Sequence, residues 1–112
     1  MTLNNNFIGK WRITSMSEWD EEYYDMEVPA YIKIENNLIG DFQFGLVSGE
    51  IDGNIVKRKD KYYFEFTWEG NDECDSASGS GWMKLNNKNN ADGEIEIHSG
   101  DKSTFLAKKM KK

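Results

Sequence analysis

The chain has 112 residues and a formal net charge of −6, which is typical of one small domain with an acidic surface. The acidity is concentrated in the body, because residues 108–112 hold four of the 14 basic side chains, whereas the chain has 20 carboxylates. An acidic body disfavours direct binding to nucleic acids and anionic membranes, which both require basic patches. It favours cations or a protein partner with a basic surface.

Cysteine usage and the N-terminal residues bear on the cellular compartment. Cys74 is the only cysteine, so an intrachain disulfide is excluded. The first residues have neither the basic region nor the apolar run of a signal peptide, and no segment reaches the roughly 18 apolar residues of a membrane helix. We therefore expect a cytoplasmic protein.

Alternation of apolar and polar residues predicts β-strands along most of the chain. The clearest case is residues 62–68, where aromatic side chains at every second position indicate one buried face. The predicted strands, in chain order, cover residues 9–16, 30–35, 40–45, 46–56, 62–68, 81–85, 94–98 and 103–109.

Glycines and short polar residues predict where the strands bend and turn. Gly49 and Gly53 are expected bulge or bend points in the fourth strand, and residues 59–60 are the expected hairpin turn that follows it. Residues 76–81, which alternate Ser with Ala and Gly, are expected to form a flexible turn. Residues 19–25 allow one or two helical turns before a proline limits them.

The predicted fold is all-β, with about eight antiparallel strands in a meander that is closed or nearly closed into one small barrel domain over residues 1–112. Closure is expected because it removes the two exposed strand edges of an open meander. The chain has 4 Trp, 5 Tyr and 6 Phe, enough large rings to fill a small interior. Trp11, Phe64, Phe66 and Trp82 are expected to point inward and to shrink any ligand cavity.

The opening segment FIGKW, residues 7–11, resembles the Phe-x-Gly-x-Trp start of the calycin barrels, the lipocalins and fatty-acid-binding proteins. In those families the Trp closes the barrel bottom and an Arg from the last strand covers it. The resemblance implies that Trp11 has this position and that Lys108 or Lys109 replaces the Arg. The Arg-x-Tyr pair that holds a fatty acid's carboxylate is absent from the last strand, so the resemblance implies the barrel without the lipid ligand.

Nearly the whole chain also resembles a widespread group of small uncharacterised bacterial β proteins, and this resemblance implies no activity. Members of that group often carry Arg where this chain has Ser80, so a cation beside the acidic residues is lost here. The residues that carry the resemblance are Gly9-x-Trp11, Trp19-Asp20, Pro29-Ala30, Phe42-x-Phe44-Gly45, Phe66-x-Trp68-Glu69-Gly70-x-Asp72-Glu73-x-Asp75, Gly79-x-Gly81-Trp82 and His98-x-Gly100-Asp101-x-Ser103-x-Phe105.

Two segments that begin near a tryptophan and then turn strongly acidic form the predicted site. Residues 18–27 and 69–75 hold ten of the 20 carboxylates and contain no Lys or Arg. Carboxylates at this density repel one another, so they must be solvated, hydrogen-bonded as caps, or matched by a cation or a basic partner. The candidate protein-binding or cation-binding residues are Trp19, Asp20, Glu21, Glu22, Asp25, Trp68, Glu69, Asp72, Glu73 and Asp75.

Each segment also has a purely structural interpretation. Trp19 and one neighbouring tyrosine can cap the barrel mouth while the acids face water. The second segment does not have the spacing of an EF-hand loop, which makes a metal site a weak prediction. His98 is expected on a solvent face, and the acidic neighbours of Cys74 disfavour its thiolate, so we expect no catalytic residue and no metal ligand.

These observations predict a non-enzymatic, acidic β-barrel that acts as a protein-interaction module without a cofactor. Its acidic and aromatic loops are expected to bind a protein with a basic surface, and an inhibitor or decoy that occupies such a surface is one form of this function. The alternative is a calycin-like barrel that binds a small ligand or a cation, which requires an interior cavity or converging carboxylates.

Overall fold

The structure, a computed structural model, describes residues 4–110 and consists of two short helices and eight β-strands. The helices are α1 (Asn4–Phe7) and α2 (Glu21–Tyr24). The strands are β1 (Gly9–Met16), β2 (Tyr31–Ile34), β3 (Ile39–Phe44), β4 (Val47–Arg58), β5 (Lys61–Asp72), β6 (Asp75–Asn87), β7 (Asn90–Ile97) and β8 (Lys102–Lys109). Each strand pairs antiparallel with the next and β8 pairs with β1, so the sheet closes on itself. This arrangement confirms the predicted all-β fold and its closure into a barrel.

The strands β4, β5 and β6 are longer than the sequence pattern predicted. The register of β5 with β6 runs without a break from Tyr63↔Lys84 to Asp72↔Asp75, so the predicted flexible turn at residues 76–81 is wrong. The acidic segment predicted as a loop from Trp68 onward is a β-hairpin with only Glu73 and Cys74 between its strands. The small side chains of residues 76–81 give no clear alternation of apolar and polar residues, so the sequence pattern did not indicate this part of β6.

Two glycines of β4 give room to aromatic rings and do not form bulges. The β4–β5 register is continuous through both, so a bulge at either position is excluded. A Cβ on Gly49 would lie 2.7 Å from the Trp68 ring, and one on Gly53 would lie 2.6 Å from the Phe64 ring. The bulges of the barrel lie elsewhere, in β1 between Ile13 and Ser15 and in β6 near Leu85.

Large side chains fill the barrel interior. The inward positions of the strands alternate with exposed ones, as expected for a closed sheet with a packed core. The largest rings of the interior are all at most 4% exposed, namely Phe7, Trp11, Phe42, Phe44, Phe64, Phe66, Trp68 and Phe105. The prediction that Trp82 points inward is wrong, because Gly81 and Met83 occupy the inward positions beside it.

One end of the barrel is closed by α1 and a tryptophan. The Trp11 indole N–H donates a hydrogen bond to the carbonyl of Phe7 at 2.9 Å. The Lys109 ammonium lies 4.7 Å from the Trp11 ring centroid, a cation–π contact at the position that the calycin resemblance gave to a basic residue of the last strand. Burial lowers the pKa of Lys109. Along the described chain, 4–110, no helix is long and apolar enough to cross a bilayer.

Candidate functional site

The two predicted acidic segments meet at the end of the barrel opposite α1. The turn between β3 and β4 joins them, because the Leu46 N–H donates to the Tyr23 hydroxyl at 3.3 Å and the Glu73 N–H donates to the Leu46 carbonyl at 2.9 Å. Burial raises the pKa of Tyr23, and the negative charges of Asp72 and Glu73 raise it further. The α2 segment and the β5–β6 turn therefore form one surface, which we call the acidic end: Glu21, Glu22, Asp72, Glu73 and Asp75.

Two carboxylates of the first segment are used by the fold. Asp20 is the N-cap of α2, and its side chain accepts a hydrogen bond from the Tyr23 N–H. Asp25 forms a two-pronged ion pair with Arg12, with N···O distances of 2.9 and 2.7 Å, and also accepts from the Ala30 N–H at 2.9 Å. The Arg12 hydrogen bonds hold the pKa of Asp25 below its usual range. These two predicted site residues therefore anchor the segment.

Trp19 covers the mouth of the barrel. Its ring lies 5.7 Å from the Tyr23 ring and 5.0 Å from the Phe44 ring, centroid to centroid. It is half-buried, whereas Tyr24 is buried and donates its hydroxyl proton to the Thr14 carbonyl at 2.9 Å. Trp19 and a neighbouring tyrosine thus cap the barrel mouth, as in the structural interpretation of the first segment. One edge of Trp19 remains at the surface.

The second tryptophan of the predicted site is not accessible. Trp68 is 3% exposed, and its indole N–H donates to the Glu96 carbonyl at 3.2 Å from inside the barrel. The prediction of Trp68 as a surface contact is therefore corrected, since the alternation of β5 turns it to the core. The neighbouring Glu69 faces outward and is exposed, and the turn residues Glu73 and Asp75 are exposed as well.

A second acidic surface, of which only Glu69 was among the predicted site residues, lies on the outside of β3, β4, β5 and β7. It contains six carboxylates, which we call the acidic wall: Asp41, Glu50, Asp52, Glu69, Glu94 and Glu96. None of the three ion pairs found within residues 4–110 includes any of them. Glu94 and Asp41 are half-buried and the other four are exposed.

Three carboxylates of the wall stand directly opposite one another on adjacent strands. Asp41 of β3 pairs with Glu50 of β4, and Glu50 pairs with Glu69 of β5. Like charges in directly opposite positions destabilise a sheet. Beyond Asp41 the row continues with two bases, Lys33 of β2 opposite Asp41 and Lys10 of β1 opposite Lys33. Glu50 and Glu69 have no base opposite them, so their repulsion is not relieved by the cross-strand pairing.

Hydrogen bonding fixes one end of this row. The Tyr31 hydroxyl donates to the Asp41 carboxylate at 2.6 Å. Burial and the adjacent carboxylate raise the pKa of Tyr31 to about 12, so the phenol stays protonated and keeps donating. Asp41 is thereby held in place, while Glu50 and Glu69 extend from the wall without a side-chain hydrogen bond in the described structure.

The floor between the acids is made of small polar side chains. Thr67 of β5 lies opposite Asp52 on one side and Ser80 of β6 on the other, and Ser80 lies opposite Glu96 of β7. An open groove runs along this floor, with carboxylates on both sides and His98 at its end. Because these hydroxyl side chains are short, the carboxylates project further from the surface and are the first groups that an approaching partner contacts.

An aromatic pair borders the wall on its outer side. Trp82 is half-buried on the outside of β6, and its indole N–H donates to the Glu94 carboxylate at 3.3 Å. The Tyr63 ring contacts it edge to face, with the centroids 5.6 Å apart. Tryptophan and tyrosine at the edge of a polar surface are the residues that most often anchor protein interfaces.

The opposite end of the barrel is basic. The hairpin that joins β4 and β5 contains Lys57, Arg58, Lys59 and Lys61, all exposed, and a single acid, Asp60, in the turn. The net charge of −6 therefore conceals a separation of charge along the barrel axis, from the basic hairpin to the acidic end.

The described residues contain no metal-ligand cluster, and their His and Cys side chains are exposed. Within residues 4–110, no group of three or more His, Cys, Asp and Glu side chains is arranged to hold a metal ion. His98 is exposed in the β7–β8 turn, where its backbone N–H donates to the Ser78 carbonyl at 2.7 Å. Cys74 is exposed at the tip of the β5–β6 hairpin.

Comparisons with protein-family models, with curated proteins and with solved structures found no match to this chain. The geometry of the surface therefore carries the functional argument. The wall had a signal in the sequence, because acids recur at every second position of several strands, as in Glu50 and Asp52 or Glu94 and Glu96. Only the register between strands brings these pairs together, and composition along the chain does not give that register.

Proposed function

We propose that the protein is a non-enzymatic binding module that docks on a basic surface of another protein. Its contact surface is the acidic wall together with the acidic end. The observation that carries this proposal is the row Asp41–Glu50–Glu69, in which carboxylates face one another across three adjacent strands. A partner that places Lys or Arg side chains over the row would relieve this repulsion on binding.

The electrostatics favour fast and salt-sensitive binding. Exposed charges of one sign attract an oppositely charged partner over about a Debye length, roughly 8 Å at physiological ionic strength. Such exposed charges raise the association rate and orient the partner more than they increase the final affinity. Occupation of a basic surface in place of its usual acidic ligand, as by an inhibitor or decoy, is consistent with this behaviour.

Aromatic side chains supply the part of the affinity that charges do not. Trp82 beside Glu94 and the half-buried Trp19 beside Tyr23 each present an aromatic edge next to carboxylates. An arginine of the partner can stack on such a ring and pair with the neighbouring acid at the same time. The two aromatic positions lie on different parts of the surface, which suits a protein partner better than a small ligand.

The alternative, a calycin-like barrel that binds a small ligand or a cation, receives less support. The Trp11–Lys109 contact favours a calycin-like closed end. The interior, however, is occupied by rings such as Phe42, Phe64 and Trp68, each at most 3% exposed. Ser103 is the one polar residue in the buried set of the described chain, and it is hydrogen-bonded to the segment after β1. A ligand pocket needs convergent polar groups, and this interior does not offer them.

Affinity capture from a lysate of the host cytoplasm, at low and high salt, tests the proposal. The bait is the wild-type protein beside a wall variant, Glu50→Gln with Glu69→Gln and Glu96→Gln. We expect a partner with a basic surface that the wild type retains, that salt releases and that the wall variant loses. A second variant, Asp72→Asn with Glu73→Gln and Asp75→Asn, measures how much the acidic end contributes to retention of the partner.

A matched control removes the same number of charges outside the wall. Glu18→Gln with Glu27→Gln and Asp60→Asn changes three exposed carboxylates that make no side-chain hydrogen bond or ion pair within residues 4–110. The control is expected to retain the partner. Equal loss from the control and the wall variant would show a response to net charge alone, and would refute the assignment of the wall as the docking surface.

A further inference from the structure

One side of β4 lacks a neighbouring strand over its second half. β3 pairs with β4 only as far as Ile39↔Asp52, whereas β5 pairs with β4 along its whole length, to Arg58↔Lys61. Over the described part of the chain, residues 54–58 therefore have a paired strand on the β5 side only. The β4–β5 hairpin extends past the wall of the barrel and presents an open strand edge.

The register identifies the backbone groups on this edge. The Gly53 N–H donates to the Leu38 carbonyl at 3.0 Å, so Gly53 faces away from β5. In an antiparallel strand alternate residues direct their N–H and C=O to the same side. Ile55 and Lys57 therefore direct these groups away from β5, and no hydrogen bond within residues 4–110 occupies them.

The side chains around the open edge are basic. Lys57, Lys59 and Lys61 form no ion pair within the described residues, whereas Arg58 is paired with Glu65. The turn residues Lys59 and Asp60 both have positive φ, 48° and 71°, which is the conformation of a tight two-residue hairpin turn. The lysines therefore lie on a regular β-hairpin with a tight turn.

We propose that the open edge of β4 binds an extended, acidic segment of another protein by strand addition. The backbone groups of Ile55 and Lys57 would pair with the incoming strand and fix its register. The lysines of the hairpin would select acidic side chains at alternate positions of that strand. This site lies at the opposite end of the barrel from α2 and is independent of the proposed docking of the acidic wall.

An NMR titration with the peptide Ac-Glu-Val-Glu-Val-Glu-NH2 tests the proposal. We expect saturable chemical-shift changes centred on the Ile55 and Lys57 amides, with slowed hydrogen exchange at both. A peptide of the same sequence that is N-methylated at all five residues keeps the charges but loses those backbone donors on both of its edges, and we expect it to bind at least about tenfold more weakly. Equal binding of the two peptides would overturn strand addition, because charge alone would then account for the interaction.

Charge-reversal variants test the selection of acidic segments. Lys57→Glu with Lys59→Glu is expected to weaken peptide binding by about tenfold or more. Lys88→Glu with Lys108→Glu makes the same change in net charge on exposed residues of the β6–β7 turn and β8 and is expected to leave binding unchanged. Equal weakening by the two variants would contradict the proposal. Protection of the Ile55 and Lys57 amides from exchange in the free protein would overturn it as well, since the edge would already be paired.

Discussion

The α2 segment and the acidic wall are both rich in carboxylates, but the fold uses those carboxylates differently. In the segment, Asp20 caps a helix and Asp25 is fixed by Arg12 and by the Ala30 N–H. On the wall, Glu50 and Glu69 face each other across two strands with no base between them. The first set stabilises the native state, and the second adds repulsion to it.

This difference teaches that acidic density along the chain does not show which carboxylates the fold already uses. The densest acidic run, residues 18–27, contains two carboxylates that hold the loop together. The wall has its acids dispersed over four strands and brings them together only in the folded sheet. Carboxylates that stabilise nothing in the fold are the ones to test first for a partner.

The largest expected effect is on the structural set. Asp25→Ala removes the two hydrogen bonds and the opposite charge that Asp25 offers to Arg12, and it leaves the Ala30 N–H without its acceptor. Arg12 keeps its hydrogen bonds to the Ile13 and Ala30 carbonyls. Because both side chains are partly exposed, at 30% and 19%, we expect a loss of about 2 kcal/mol in the free energy of unfolding, below the value for a fully buried pair. Chemical denaturation measures this change.

The matched control for Asp25 is an acid of the same segment that makes no contact. Glu22→Ala, on the exposed side of α2, is expected to change the free energy of unfolding by no more than about 0.5 kcal/mol. Similar losses for Asp25→Ala and Glu22→Ala would remove the distinction between structural and free carboxylates within the segment.

The pH dependence of stability provides a second test of the structural set. The folded-state pKa of Asp25 is lowered, chiefly by the hydrogen bonds from Arg12, so the unfolded chain binds the proton more tightly. The resulting stabilisation is fully present above the ordinary Asp pKa of about 3.9 and disappears as the pH falls through the lower folded-state value. Asp25→Asn is expected to flatten this part of the stability curve. If stability falls with decreasing pH as steeply in Asp25→Asn as in the wild type, other groups cause that loss.

The sequence predicted the fold because the pattern of the strands is strong. Alternation such as that of Phe64, Phe66 and Trp68 fixes which face is buried, and antiparallel strands joined by short turns leave few topologies. The errors occurred where side chains are small. Residues 76–81 were predicted as a turn because Ser, Ala and Gly carry no hydrophobic signal, although β5 and β7 hold them in a regular strand.

The site was harder to predict than the fold. The convergence of the two acidic segments depends on hydrogen bonds from the β3–β4 turn, at Leu46, and no periodicity encodes those bonds. Trp82 lies on the outside of β6 although the pattern predicted it inside, because one position of register decides whether a ring faces the core or the solvent. Residue types therefore indicated that the surface would be acidic and aromatic, but the strand register determined which residues lie on it together.

A smaller effect of opposite sign is expected on the wall. Glu50→Gln removes the central charge of the row and relieves repulsion with both Asp41 and Glu69. We expect a gain of about 0.5 kcal/mol in the free energy of unfolding at low salt, which falls as salt screens the wild-type repulsion. Thermal unfolding of both proteins at two ionic strengths checks this. A loss of stability at low salt would mean that Glu50 makes a favourable contact and that the wall is not strained.

The smallest expected effect comes from a base added to the groove. Ser80→Arg puts a guanidinium opposite Glu96 and beside Thr67. We expect a gain of a few tenths of a kcal/mol at low salt, since exposed ion pairs contribute little. Partner capture by the wall is expected to weaken more than stability changes, because the new base competes for the same carboxylates. Asn86→Arg, on the same strand but at the opposite, basic end of the barrel, is the matched control, and an equal effect of both substitutions on capture would place the contact surface outside the groove.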